Sequence, residues 1–257
     1  MTTSSYAEEE WTLDKILERY YRVRGGPEAT QGIQSLRMTG KLEVPNGRQD
    51  IVLIKKKPHY SRTTLKVGKR RKVTAYDGNH VWEMIDGQDI PRSIRVLPET
   101  EGYHFAQEAK LGLFGPLFGY KTKRIKIEFL GLKTINPLAE IEQTQSSLSQ
   151  LDESLHGDIE CFHLRGLLPN GSTMEFFLQK DTFWEIKITS HLKNAGSDEG
   201  ETRHYYFSDY RTVGPLKEAF QIQIFNDSGQ YLSTLLIGEL TFNVGVYTRY
   251  FQQLNRE

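Results

Sequence analysis

Seven histidines stand at positions 59, 80, 104, 156, 163, 191 and 204. None has HExxH spacing, and the single cysteine, Cys161, excludes a CxxC pair. No metal-ligand set appears at a recognised spacing, so these histidines read as ordinary surface or sheet residues. The GxSxG elbow, the Walker loop and the GxGxxG fingerprint are missing as well. Cys161 falls in the middle of a strand-like run, where a buried structural thiol is the simpler reading than a nucleophile. Carboxylates are plentiful, but none is read in an apolar context that would mark a tuned acid. Enzymatic chemistry is therefore disfavoured, and no catalytic residue, cofactor or metal is expected.

Two other clusters have a chemistry of their own. KVGKRRK, from Lys66 to Lys72, is the strongest basic run, with Lys55, Lys56 and Lys57 near it. It is either a solvated hairpin tip or a contact for anionic headgroups or an acidic envelope partner. Nucleic acid is not expected, because aromatics do not interleave with these cations as a stacking platform requires. The second cluster is YHFAQEAKLGLFGPLFGY, residues 103–120. Residues 106–111 have room for one or two helical turns before Gly112, Gly115 and Pro116 break them. This greasy, hinged plug is either plain core or a lid over a hydrophobic cavity, and the lid is the reading adopted.

The elements that must position the plug are mostly strands. Residues 2–10 read as a disordered lead. Residues 11–24 form an amphipathic helix capped by Thr12, with Trp11, Ile16, Leu17, Tyr20 and Tyr21 as its apolar stripe. From Ile33 the period changes to two. Residues 36–44, 49–56, 60–67, 72–76 and 80–85 alternate as strands, joined by turns such as Pro45-Asn46-Gly47 and Asp77-Gly78. Beyond the plug, strands are expected at 124–132, 159–168, 172–179, 183–191, 202–213, 218–225 and 231–243. The polar stretch 134–157 reads as a surface loop with a short helix near 138–145. The fold class expected is mainly β, about eleven antiparallel strands in one curled sheet with helices against one face. Leu36, Met38, Leu42, Trp82 and Met84 are assigned to the covered face. Arg37, Lys41, Glu43 and Glu83 are assigned to the solvated one.

Composition agrees. The chain has 257 residues, with Lys+Arg and Asp+Glu equal at 33 each, so no net field draws it to nucleic acid. No apolar run approaches the roughly 20 residues that cross a bilayer. The first five residues are polar and unlike the core of an export signal, so either the protein is cytoplasmic or the numbering begins after a removed signal.

Several motifs recur in order along the chain. They are ILERYYRVRGG (16–26), IQSLRMTGKLEV (33–44), KKPHYSR (56–62), AYDGNHVWEM (75–84), GPLFGYK (115–121) and YYFSDYRTVG (205–214). The last strand ends in Asn243, with Tyr247 and Phe251 after it. Together these resemble the outer-membrane lipoprotein-sorting proteins, the LolA-like superfamily. The resemblance spans residues 11–257, with 134–157 as a longer, variable insertion. It implies an incomplete antiparallel β-barrel lidded by helices, a cavity for acyl chains, and a periplasmic carrier or acceptor of lipoproteins or lipids. The chain departs from that pattern at Lys57, where the carriers have arginine, and at Ser61, where they have an aromatic residue.

The cavity lining expected from the sheet is Leu36, Met38, Leu42, Trp82 and Met84. From the plug it is Phe105, Leu111, Phe114, Leu117 and Phe118. The alternative is a structural or interaction module of the envelope on the same scaffold, with a filled core and no cavity.

Overall fold

The computed structural model describes residues 10–142 and 151–253. The disordered lead expected at the start therefore lies almost wholly outside the described residues. Thr12 caps helix α1 (Leu13–Val23), its hydroxyl accepting from the Lys15 amide at 3.4 Å. That satisfies one of the donors a helix start leaves open. Ile16, Leu17 and Tyr20 share its buried face. Gly25 then takes φ 109° before α2 (Gly26–Gln31). A Cβ at Gly25 would stand 2.2 Å from the Pro215 carbonyl oxygen, so only glycine lets the chain turn there.

Six strands follow as a meander: β1 (Ser35–Val44), β2 (Gly47–Lys56), β3 (Tyr60–Val67), β4 (Arg70–Tyr76), β5 (Val81–Gly87) and β6 (Ile90–Val96). Helix α3 (Glu99–Lys110) and the plug loop lead to β7 (Lys126–Ile135) and a short α4 (Pro137–Glu142). The second meander is β8 (Ile159–Leu167), β9 (Thr173–Gln179), β10 (Glu185–Lys193), β11 (Gly200–Val213), β12 (Leu216–Asn226) and β13 (Tyr231–Phe242). All thirteen belong to one antiparallel sheet. Its order is β6-β5-β4-β3-β2-β1-β13-β12-β11-β10-β9-β8-β7. The two meanders meet where β1 pairs β13, with Leu36 opposite Phe242 and Met38 opposite Leu240. β6 and β7 do not pair, so the sheet stays open rather than closing into a barrel.

The fold class is the one expected, with thirteen strands instead of about eleven. β6 is the strand that the alternation did not reveal. Its Pro91 and its charges suit an edge, where one side of the strand needs no donors. α3 is also longer than the one or two turns expected. It packs so closely that a Cβ on Gly102 would lie 2.8 Å from Val81 Cβ.

Both faces of the sheet are covered. On the inner face, α1 and the plug bury Ile16, Leu17, Tyr20 and Leu117 against Phe162, Leu164, Phe176 and Ile188. The opposite face of the same strands carries Cys161, Phe177, Ile186, Tyr206 and Phe225. There Ile135, Ile141, Leu151 and Leu155 cover them. This corrects two expectations. Helices do not lie against one face only, and the polar 134–157 stretch contributes four core residues instead of a surface loop. Residues 143–150, including part of the helix expected there, lie outside the described residues. Apolar residues on both parities of β8 and β9, as in Cys161-Phe162 and Phe176-Phe177, are the signal that both faces are buried. Cys161 is fully buried, and burial pushes its thiol up to about 12, as suits a structural cysteine.

Register corrects a third expectation. Met38 faces Leu53, Leu53 faces Thr63, Thr63 faces Thr74, and Thr74 faces Glu83. Residues directly opposite one another share a face. Glu83 is therefore on the inner face, buried and paired with Lys72 and Arg95. Trp82 and Met84 point the other way.

Candidate ligand cavity

The interior is not packed solid. A cavity of about 390 Å³ lies between the inner face of β1, β2 and β9–β13 and the plug. Leu36 and Met38 of β1, Leu53 of β2, and Leu235, Ile237, Leu240 and Phe242 of β13 form one wall. Ala219 and Ile222 of β12 and Tyr205 and Phe207 of β11 continue it. Leu111, Leu113, Phe114 and Pro116 of the plug cover part of it, and the rest stays open to solvent. Its size lies within the roughly 300–1,000 Å³ of ordinary small-molecule sites.

Half-buried donors bond the carbonyls of the irregular plug. Gly112, Gly115 and Gly119 take φ of 80°, 78° and 68°, turning the chain in ways other residues resist. The Lys123 ammonium donates to the carbonyls of Leu111, Gly115 and Phe118 at 2.6, 2.8 and 2.5 Å. Its three N–H groups match those three acceptors. Lys55 donates to the Gly112 carbonyl at 3.2 Å, and Tyr21 to the Leu117 carbonyl at 2.8 Å. Burial lowers Lys123 to about 8, and the neighbouring Lys55 adds to that shift.

Replacing Lys123 with methionine leaves those carbonyls without a partner. The expected result is a local loss of about 1–3 kcal/mol, read as faster hydrogen exchange of amides 111–119. The unfolded chain binds more protons than the folded one between about 8 and 10.5 at this residue, so its contribution to stability rises with pH across that window. The variant should lose that slope. An unchanged slope and unchanged exchange would refute the role.

A charged cluster borders the same oily space. Arg24, at the end of α1, donates from Nη1 to Glu185 Oε2 at 2.8 Å and from Nη2 to Glu218 Oε2 at 2.7 Å. Tyr20 donates to Glu185 Oε1 at 3.0 Å, and Tyr210 to the Glu185 carbonyl at 2.7 Å. Arg24 is only 5% exposed, and its Nε has no partner among the described residues. Desolvation holds Glu218 above the usual carboxylate range, with Arg24 opposing it. Arg24, Glu185, Tyr210 and Glu218 all line the cavity. The expectation that no carboxylate sits in an apolar context is thus corrected. The signal was present at Glu185, which Phe183, Trp184 and Ile186 flank.

Of the lining expected from sequence, Leu36, Met38, Leu111 and Phe114 come together around the cavity. Leu42 lies farther along β1, half-buried opposite Gln49 and Leu235. Trp82 and Met84 form a cluster on the outer face with Val73, Ala75 and Ile94. There Trp82 Nε1 donates to the Phe251 carbonyl at 2.7 Å, beneath the C-terminal turn. Phe105 packs with Tyr76, Val81 and Ala109 under α3. Leu117 and Phe118 turn away from the cavity towards α1, with the Phe118 ring 5.5 Å from Tyr20 and 5.2 Å from Tyr21. The β13 wall and the Arg24 cluster were not found from sequence. The basic run lies at the β3–β4 turn and is partly neutralised, Arg71 by Asp86 and Lys72 by Glu83, while Lys69 and Arg70 stay exposed.

No protein-family model matches the chain, and no curated protein matches its sequence. Solved structures do share its fold. One, provisionally named as an outer membrane lipoprotein-sorting protein domain from Vibrio parahaemolyticus, superposes with a TM-score of 0.56 at 11% identity, over 93% of this chain and 96% of that one. A DUF1329 family protein from Desulfovibrio piger gives 0.57 at 10% identity, over 93% and 96%. A LolA superfamily protein from Nitrosomonas europaea gives 0.56 at 11% identity, over 95% and 99%. At such identities the likeness is one of fold, and the fold is that of the LolA-like structures.

Proposed function

We propose that the protein binds the alkyl chains of a lipid or lipoprotein in this cavity and carries or receives them, without catalysis, on their way to an outer membrane. The observation that carries the reading is an apolar cavity of about 390 Å³ beneath a glycine-hinged plug. Each methylene taken from water into such a space contributes about 0.8 kcal/mol, so an acyl chain is held without a covalent bond. Lifting of the plug eases release, and a loop held by a few donors opens more readily than a strand. Two of the neighbours are named for lipoprotein sorting or the LolA superfamily, which supports the periplasm as the compartment. The continuity of the sheet through both meanders supports reading residues 11–257 as one domain. Lys66, Lys69 and Arg70 are exposed cations of the β3–β4 turn that can meet anionic headgroups when the carrier reaches a membrane.

Native mass spectrometry of protein purified from cells tests this. The expected spectrum carries adducts of lipid mass that organic extraction removes. Protein that is free of lipid, and that takes up no hydrophobic dye, would contradict the reading.

A further inference from the structure

We propose that the cavity selects amphiphiles whose head carries a protonated amine, seated against Glu218 beside Arg24. This rests on alkyl binding in the same cavity and names the head that accompanies the chain. Five charged side chains line the space: Arg24, Lys55, Glu108, Glu185 and Glu218. Glu108 is exposed and offsets Lys55, whereas Arg24 alone faces Glu185 and Glu218, so one negative charge is in excess where the side chains are largely withdrawn from water.

The partners locate that excess. Glu185 already has a donor on each oxygen, Tyr20 on Oε1 and Arg24 on Oε2. Lys55 is bonded to the Gly112 carbonyl, with Glu108 its nearest opposing charge. Glu218 takes one bond from Arg24 on Oε2, and no described donor reaches its Oε1. An ammonium on Oε1 adds a charge-assisted bond to this partly exposed carboxylate and neutralises the surplus charge. The second observation is the unpartnered Nε of Arg24, a buried donor on a side chain that lines the same cavity. Buried donors are normally bonded, and an oxygen brought in by a ligand meets this one once the packing around it, closed to water, gives way. A head with an ammonium and an oxygen a few bonds away, as in an ethanolamine phosphodiester, answers both. A head that brings only negative charge meets the surplus carboxylate and is repelled.

Displacement of the neutral dye N-phenyl-1-naphthylamine tests the proposal at neutral pH and below the micelle concentrations. The competitors are myristoyl lysophosphatidylethanolamine and myristoyl lysophosphatidylglycerol, which share a chain and a phosphate and differ in the amine. Lysophosphatidylethanolamine should displace the dye at concentrations about tenfold lower. Glu218→Gln, with its dye affinity measured first, should narrow that ratio to within about threefold. Equal displacement by the two lipids, or a ratio that Glu218→Gln leaves unchanged, overturns the head selection and leaves alkyl binding standing. A dye that never enters the wild-type protein overturns both. Should the variant fail to fold, the wild-type ratio decides alone.

Discussion

Arg24→Met should cost about 3–5 kcal/mol of stability at neutral pH, read as a lower urea midpoint with an unchanged slope. The guanidinium joins α1 to β10 through Glu185 and to β12 through Glu218, at 2.8 and 2.7 Å. Methionine fills much of the same space but leaves two carboxylates facing each other without a cation. Their burial then penalises the charged forms and raises both folded pKa values. A carboxyl whose folded pKa lies above its unfolded one binds more protons folded than unfolded. Its stability contribution is therefore present at low pH and lost as pH rises through the folded value. The variant should regain part of its deficit on acidification from about pH 7 to pH 5. Glu218 in the wild type has the same sign, moderated by Arg24. A variant as stable as the wild type, or one whose deficit does not change with pH, would show that the cluster does not hold these elements together.

Phe114→Asp should abolish alkyl binding, weakening dye or lipid uptake by about a hundredfold or more. Phe114 lines the cavity, its ring 5.6 Å from Phe118 and 6.3 Å from Phe242. Losing that apolar surface removes about 1.5–3 kcal/mol of contact with a bound chain. The new carboxylate must also stay solvated, which brings water to the place where methylenes would lie. Because Phe114 is only half-buried in the plug, the sheet should still form. Phe114→Leu should keep most of the affinity, separating loss of apolar surface from loss of the ring. Uptake by Phe114→Asp equal to that of the wild type would remove the plug from the binding site.

The strands and most turns were legible because alternation and turn residues act over a few neighbours. β6 was not, since an edge strand tolerates a proline and charges that a central strand rejects. The second buried face was half legible. Paired apolar neighbours such as Phe176-Phe177 announced two covered faces, but the cover comes from isolated residues, Ile141, Leu151 and Leu155, in a polar stretch. Alternation alone puts Trp82 on the wrong face for a related reason. Alternation sorts the residues of one strand into two sets, and only the register across β1 to β5 says which set joins Met38. In the plug, composition flagged residues 103–120 as a unit. It did not reveal that Phe114 turns to the cavity while Leu117 and Phe118 turn to α1, a division imposed by the Lys123 and Tyr21 bonds.

By itself the sequence determined the class of fold: long alternating strands, a capped amphipathic helix and an apolar, glycine-broken plug, in an order resembling the LolA-like proteins. Those features depend on residues close together in the chain. Tertiary structure alone decided that a space remains and what borders it. The β1–β13 pairing brings Leu36 to Phe242 from opposite ends of the chain. Arg24, Glu185 and Glu218 likewise come from distant parts of the chain and meet only through the packing of α1 against β10 and β12. A cavity is a property of how distant surfaces fail to fill one another, and no local pattern encodes it.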